Sequence, residues 1–279
     1  MISLGLGLIA ALAWGIHDVC VRYVSQRTGI VAALLTVLVL GSFIAVPVAI
    51  VFSDDAMVRD DIVRAVFAGV AFAAAGFALY QAFAIGPVRL VAPIIGAYPI
   101  LSVGWAALNG ASVDLFQWIA VLLVIAGVGF VAGSSDSSDD TSQRKAAVLW
   151  SLMGCVGFAL SFALAHHATT PGTEFTVNAV SRVTAVLCIF GYAPVTRSVV
   201  LPARSQIALL ALMGALDCMA LGAVVYAGTQ INPEYSAVAA SSFGMITVIL
   251  ASLFLREKMT LAQWAGVGVV FCAIAYLAI

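Results

Sequence analysis

Residues 78–93 read ALYQAFAIGPVRLVAP and residues 224–239 read VVYAGTQINPEYSAVA. Set one above the other, at an offset of 146 residues, Tyr80 falls on Tyr226, Ile85 on Ile231 and Pro87 on Pro233 without a gap. The same offset brings Leu115 onto Leu261 and Gln117-Trp118 onto Gln263-Trp264. Matches of Leu and Ile mean little in so apolar a chain; Tyr, Pro, Gln and Trp in register mean more. In each copy an apolar run ends in a turn dipeptide, Gly86-Pro87 or Asn232-Pro233, and a second run follows at once. Proline there reads as a helix start, where its missing N–H costs nothing. The repeated unit is therefore a pair of apolar helices joined by a tight turn.

Working outward, the whole chain has this character. Of 279 residues, 63% are apolar and 9% charged, against about 45–50% and 25% in soluble domains, so the chain belongs in a bilayer. A spanning helix needs about 20 mostly apolar residues. Runs of that length, bounded by Gly, Pro or charge, occur at 2–24, 30–52, 62–85, 88–108, 115–133, 146–167, 175–196, 206–229, 235–255 and 261–279. The expected fold is all-α, with ten transmembrane helices. The one long polar connection, 134–145, reads as a solvated linker between a first repeat at 1–133 and a second at 146–279. The first two spans of each half match less clearly and need a gap. Met1-Ile2-Ser3 has no basic run and no cleavage site follows, so the first span is expected to be retained.

Five spans per half is an odd number, so the second half enters the membrane from the opposite side and the repeats are inverted. Basic residues favour cytoplasmic loops. Nine of them lie on one side (Arg22, Arg27, Arg89, Arg144, Lys145, Arg197, Arg204, Arg256, Lys258) and three (Arg59, Arg64, Arg182) go with the other. That count places both termini outside the cytoplasm. A net charge of -1 and scattered basic residues speak against nucleic-acid binding. The five cysteines (Cys20, Cys155, Cys188, Cys218, Cys272) are unclustered in apolar runs and read as core residues, with no metal site or disulfide framework.

Ala13-Trp14-Gly15, Ile85-Gly86-Pro87, Leu90-Val91-Ala92-Pro93, Tyr98-Pro99 and Arg256-Glu257-Lys258-Met259-Thr260 before Gln263-Trp264 together resemble the ten-helix EamA-type transporters of the drug/metabolite transporter superfamily. The resemblance covers nearly the whole chain. It implies transport of an amino acid or other metabolite, often export, across a bacterial-type plasma membrane. It also implies a central cavity lined by the third, fourth, eighth and ninth helices, with help from the first and sixth. Glu257 departs from the symmetry, because Ala111 stands at the equivalent place in the first half, and the resemblance implies cytoplasmic termini where the charge count gives the opposite.

Charged and imidazole side chains inside a span usually face a cavity or one another. Trp14, His17 and Asp18 share one helical face at i, i+3 and i+4, with Arg22 a turn further on. They read either as a proton-sensitive or substrate-binding cluster or as a helix-end salt bridge from Asp18 to Arg22. Arg182, with Asn178 one turn before it, and Asp217 near the middle of the eighth span read first as a mutual ion pair and second as a substrate or coupling group. Phe158 and Phe162 form an i, i+4 pair. Trp105, Trp118, Trp150 and Trp264 lie near span ends, where belts form. His166-His167 reads as interfacial, and Ser241-Ser242-Phe243-Gly244 as small residues allowing close helix approach.

Combining helical faces with the cavity position implied by the resemblance, the expected substrate site is Trp14, His17 and Asp18 with Tyr80, Tyr98 and Tyr226. His17 beside Asp18 leads for proton coupling, since imidazole ordinarily titrates near neutrality. Phosphate loops, nucleophile elbows and zinc-protease helices are absent from the sequence. No catalytic residue, metal or cofactor is expected, and the partners are a small-molecule substrate, the lipid bilayer and protons. The rivals are a membrane enzyme or lipid-handling protein using His17 and Asp18, and a non-transporting subunit.

Overall fold

A computed structural model describes residues 2–53, 55–108, 110, 112, 114–133, 141–198, 201–228, 230 and 234–277. The first half runs α1 (Ile2–Ser25), α2 (Ile30–Phe52), α3 (Arg59–Ile85), α4 (Val88–Gly96), α5 (Pro99–Leu108) and α6 (Leu115–Gly133). The second runs α7 (Thr141–Ala168), α8 (Glu174–Val195), a 3-10 turn (Arg204–Gln206), α9 (Ile207–Gly228), α10 (Glu234–Ser241), α11 (Phe243–Phe254) and α12 (Leu261–Leu277). Six helices are each long and apolar enough to cross a membrane, and the shorter apolar ones complete ten spans. Large apolar side chains such as Phe43, Ile50, Leu187 and Leu253 face outward, as a lipid-solvated surface requires.

Two expected spans are not single helices. The fourth breaks at Ala97-Tyr98, between α4 and α5, and the ninth at Ser242, between α10 and α11. Pro99 supplies no N–H and disfavours helix at Tyr98, so the chain turns with short bonds from Ala97 N–H to Ile94 O (3.2 Å) and Leu101 N–H to Tyr98 O (3.0 Å). At the second break the hydroxyls of Ser241 and Ser242 donate to the carbonyls of Val238 and Ala239. The breaks fall one residue from equivalence under the repeat offset. The third helix starts at Arg59, ahead of the expected 62, and α7 starts at Thr141, so 141–145 of the polar stretch is helical rather than linker. Residues 134–140, Ala111, the Asn232-Pro233 turn and the Trp105 side chain lie outside the described residues.

The repeat match at Gln117 and Gln263 has a physical cause. Asp114 accepts from the N–H of Gln117 (3.0 Å) while Gln117 Oε1 accepts from the N–H of Asp114 (3.0 Å). Thr260 and Gln263 repeat the exchange at the start of α12, at 3.2 and 3.0 Å. Each half thus opens its last span with a capping box.

Helix pairing carries the symmetry. α1 packs on α9, α10 and α11, while α7 packs on α3 and α4; α2 packs on α9, while α8 packs on α3. Exchanging each span for the one five later turns each pairing into its partner. The pairs α2 with α8, α6 with α12 and α4 with α11 map onto themselves. This is the contact pattern of two inverted five-helix repeats related by a two-fold axis. Most packing runs between the halves, which interleave. Small residues make it possible: a Cβ added at Gly157 would lie 2.8 Å from that of Ala75 on α3. Ser161 and Ser181 donate across to Ala68 O and Ala65 O, both at 2.9 Å. Cys272 departs from the expected core position, being exposed on the outer face.

Candidate functional site

Between the halves lies a cavity of about 80 Å³, room for several waters or a compact solute. Its polar lining is Trp14, His17 and Asp18 from α1, Tyr80 from α3, Tyr98 at the break in the fourth span, and Asp217 from α9. The i, i+3, i+4 spacing on α1 aims its three side chains into one space. His17 and Asp18 are 6% and 5% exposed, with His17 Nδ1 3.1 Å from Asp18 Oδ1.

Asp217 is held from two sides. Trp14 Nε1 donates to Oδ1 at 3.2 Å and Arg182 Nη2 to Oδ2 at 2.7 Å. Arg182, 1% exposed, lies behind Asp217 and outside the cavity lining. Its guanidinium carbon sits 5.9 Å from the Phe72 ring centre, and its Nε and Nη1 have no hydrogen-bond partner among the described residues. The structure therefore brings Arg182 and Asp217 together as an ion pair, tied to α1 through Trp14.

The rest of the wall is aromatic and aliphatic. Phe158 and Phe162 stack at 5.9 Å; Tyr98 meets Phe162 edge-on at 5.2 Å, and Phe72 meets Phe158 at 5.9 Å. Phe243, at the start of α11, lies edge-on to Trp14 at 5.9 Å. Leu34, Val37 and Leu38 bring in the second helix, which the resemblance had not implied. Phe72 and Phe243 were not singled out as site residues, since an aromatic in an apolar span carries no pattern that separates wall from packing. The Tyr80 hydroxyl, on a residue 1% exposed, has no hydrogen-bond partner among the described residues.

Two expectations are corrected. Tyr226 is 49% exposed and is not among the cavity-lining residues. It lies nine residues after Asp217, about two and a half turns, and therefore on the opposite face of α9. Arg22 does not pair with Asp18. Its Nε is 3.6 Å from Glu257 Oε1 and its Nη1 donates to Phe83 O, which draws it toward the α3–α4 turn. Of the belt tryptophans, Trp118 is exposed, while Trp150 and Trp264 pack partly into the core. Gly244 fits its close-approach reading, since a Cβ there would meet the Phe271 ring.

Ten spans, an inverted repeat, two broken helices and a mainly apolar cavity between the halves, with a few polar groups in its wall, define the architecture of a membrane transporter. The chain belongs to the EamA-like transporter family of the drug/metabolite transporter superfamily, which matches residues 1–133 and 145–279. Comparison with curated protein sequences finds no match. Among solved structures, one described as "Crystal structure of protein" superposes with a TM-score of 0.65, at 12% sequence identity, over 99% of this chain and 97% of its own. At that identity the likeness shows the fold alone.

Proposed function

We propose that this protein is a secondary transporter that exports a small metabolite, an amino acid or a related compound, by alternating access. On this reading the repeats, 1–133 and 146–279, rock about a site at Trp14, His17, Asp18, Tyr80 and Tyr98, in a bacterial-type plasma membrane. The observation that carries it is the cavity wall, drawn from α1, α2, α3 and the fourth span of one half and α7, α9 and α11 of the other. Broken helices meeting at such a site are what alternating-access folds use to present polar groups in mid-membrane. Burial of His17 and Asp18 between the halves favours transport over a membrane enzyme, which needs its polar cluster open to lipid or to one surface. No ATP-binding motif occurs in the sequence, so a gradient drives net flux, and His17 with Asp18 is the pair to carry protons. Counterflow in proteoliposomes with labelled amino acids and amines, with and without a pH gradient, tests the proposal. Saturable exchange is expected; its absence across the panel overturns it.

A further inference from the structure

Charge in the cavity is unequally compensated. Asp217 has the Arg182 guanidinium on one oxygen and the Trp14 N–H on the other. Asp18 has one side-chain contact among the described residues, His17 Nδ1, so no permanently charged group is paired with it. The nearest cation along the helix, Arg22, is committed to Glu257 and to Phe83 O. Among the described residues lining the cavity there is no Lys or Arg. A carboxylate or phosphate brought here would meet Asp18 and an Asp217 whose charge Arg182 already balances, with no Lys or Arg in the wall to receive it. A protonated nitrogen would meet Asp18, the Tyr80 hydroxyl, unpartnered among the described residues, as acceptor, and the rings of Phe72, Phe158, Phe162 and Phe243. Aromatic faces attract such cations and also take an apolar body.

We propose that the cavity binds a compact organic amine, a protonated nitrogen on an apolar body with no carboxylate of its own. This rests on the transport reading, because it takes the cavity as the substrate site, and it narrows that reading from amino acids to their amine relatives. Asp18 balances the ammonium charge, Tyr80 accepts one of its N–H groups, and the aromatic wall covers the body.

The test is equilibrium binding at pH 7 to the full-length protein in nanodiscs, with two trios of equal body and different charge: phenethylamine, phenylalanine and 3-phenylpropionate; isobutylamine, valine and isovalerate. In each trio the amine is expected to bind at least tenfold tighter than the other two. Asp18→Asn lowers amine binding at least tenfold, Asp18→Glu keeps most of it, and Tyr80→Phe weakens it severalfold. An amino acid or carboxylate that binds as tightly as its amine, or no amine binding at all, overturns the proposal without any variant having to fold. Amino-acid counterflow without amine binding removes the amine and leaves transport standing; amine binding with no flux of any trio member does the reverse.

Discussion

The carboxylate of Glu257 receives the backbone N–H of Val88, with oxygens 2.9 and 3.1 Å from the nitrogen, so the loop before α12 is fastened to the first turn of α4. Arg256 takes a left-handed conformation (φ 56) just before it, and Arg22 of α1 completes the cluster at 3.6 Å. A carboxylate at a helix N-terminus answers both the free N–H groups and the dipole. In the first half the equivalent residue is Ala111, so this fastening is built into one face of the protein.

Glu257→Ala is expected to lower stability by about 1 kcal/mol, read as a fall in the thermal unfolding temperature in detergent. A cysteine at Leu34, in the cavity wall, should react faster with a thiol reagent in that background than in the parent. Equal rates would mean the cluster does not hold this face closed.

The Arg182–Asp217 pair should be costly to halve. Either Arg182→Met or Asp217→Asn leaves an unbalanced buried polar group and is expected to cost about 3–5 kcal/mol, while the double change Arg182→Met/Asp217→Leu costs less than the sum. Thermal unfolding of the three variants measures the coupling, and strict additivity would show that the 2.7 Å contact carries no energy.

His17→Ala and Asp18→Asn are expected to abolish or change the pH dependence of flux between pH 5 and 8 while the protein stays inserted and folded. Proteoliposome transport over that range is the measurement. Parent-like profiles from both variants would reduce the pair to a structural contact.

On the charge count, the loops with Arg27, Arg89, Arg144, Arg197 and Arg256 are expected to face the cytoplasm. A cysteine at Ser138 should therefore resist an impermeant thiol reagent in intact cells and label after permeabilisation. Ready labelling from outside reverses the orientation.

Much of the fold was legible because lipid demands long apolar runs and because Gln117 and Gln263 are helix caps kept in both halves. The breaks in the fourth and ninth spans were harder to read: Ala97-Tyr98 and Ser241-Ser242 interrupt no apolar run, and the chain turns there through Pro99 and through serine hydroxyls serving freed carbonyls. Trp14, His17 and Asp18 could be grouped from spacing on one helix. Tyr226 misled because repeat equivalence was given more weight than its position about two and a half turns from Asp217, on the opposite face of α9. Arg22 misled because its partner is 235 residues away in sequence, beyond the reach of any helical-face argument.

The interleaved packing also sets an order of events during synthesis. α1 finds its neighbours in α9, α10 and α11, and α3 finds its own in α7 and α8. At about 5–20 residues per second, the second half emerges over roughly seven to twenty-seven seconds. For that interval the first five spans sit in the bilayer with Gly69, Ala75 and the Ala-rich face of α3 against lipid tails, and with Asp18 lacking the enclosure it will later have. A half-length product would keep that state, so a premature stop in the second repeat leaves an inserted chain without its core, exposed to the cell's membrane proteases.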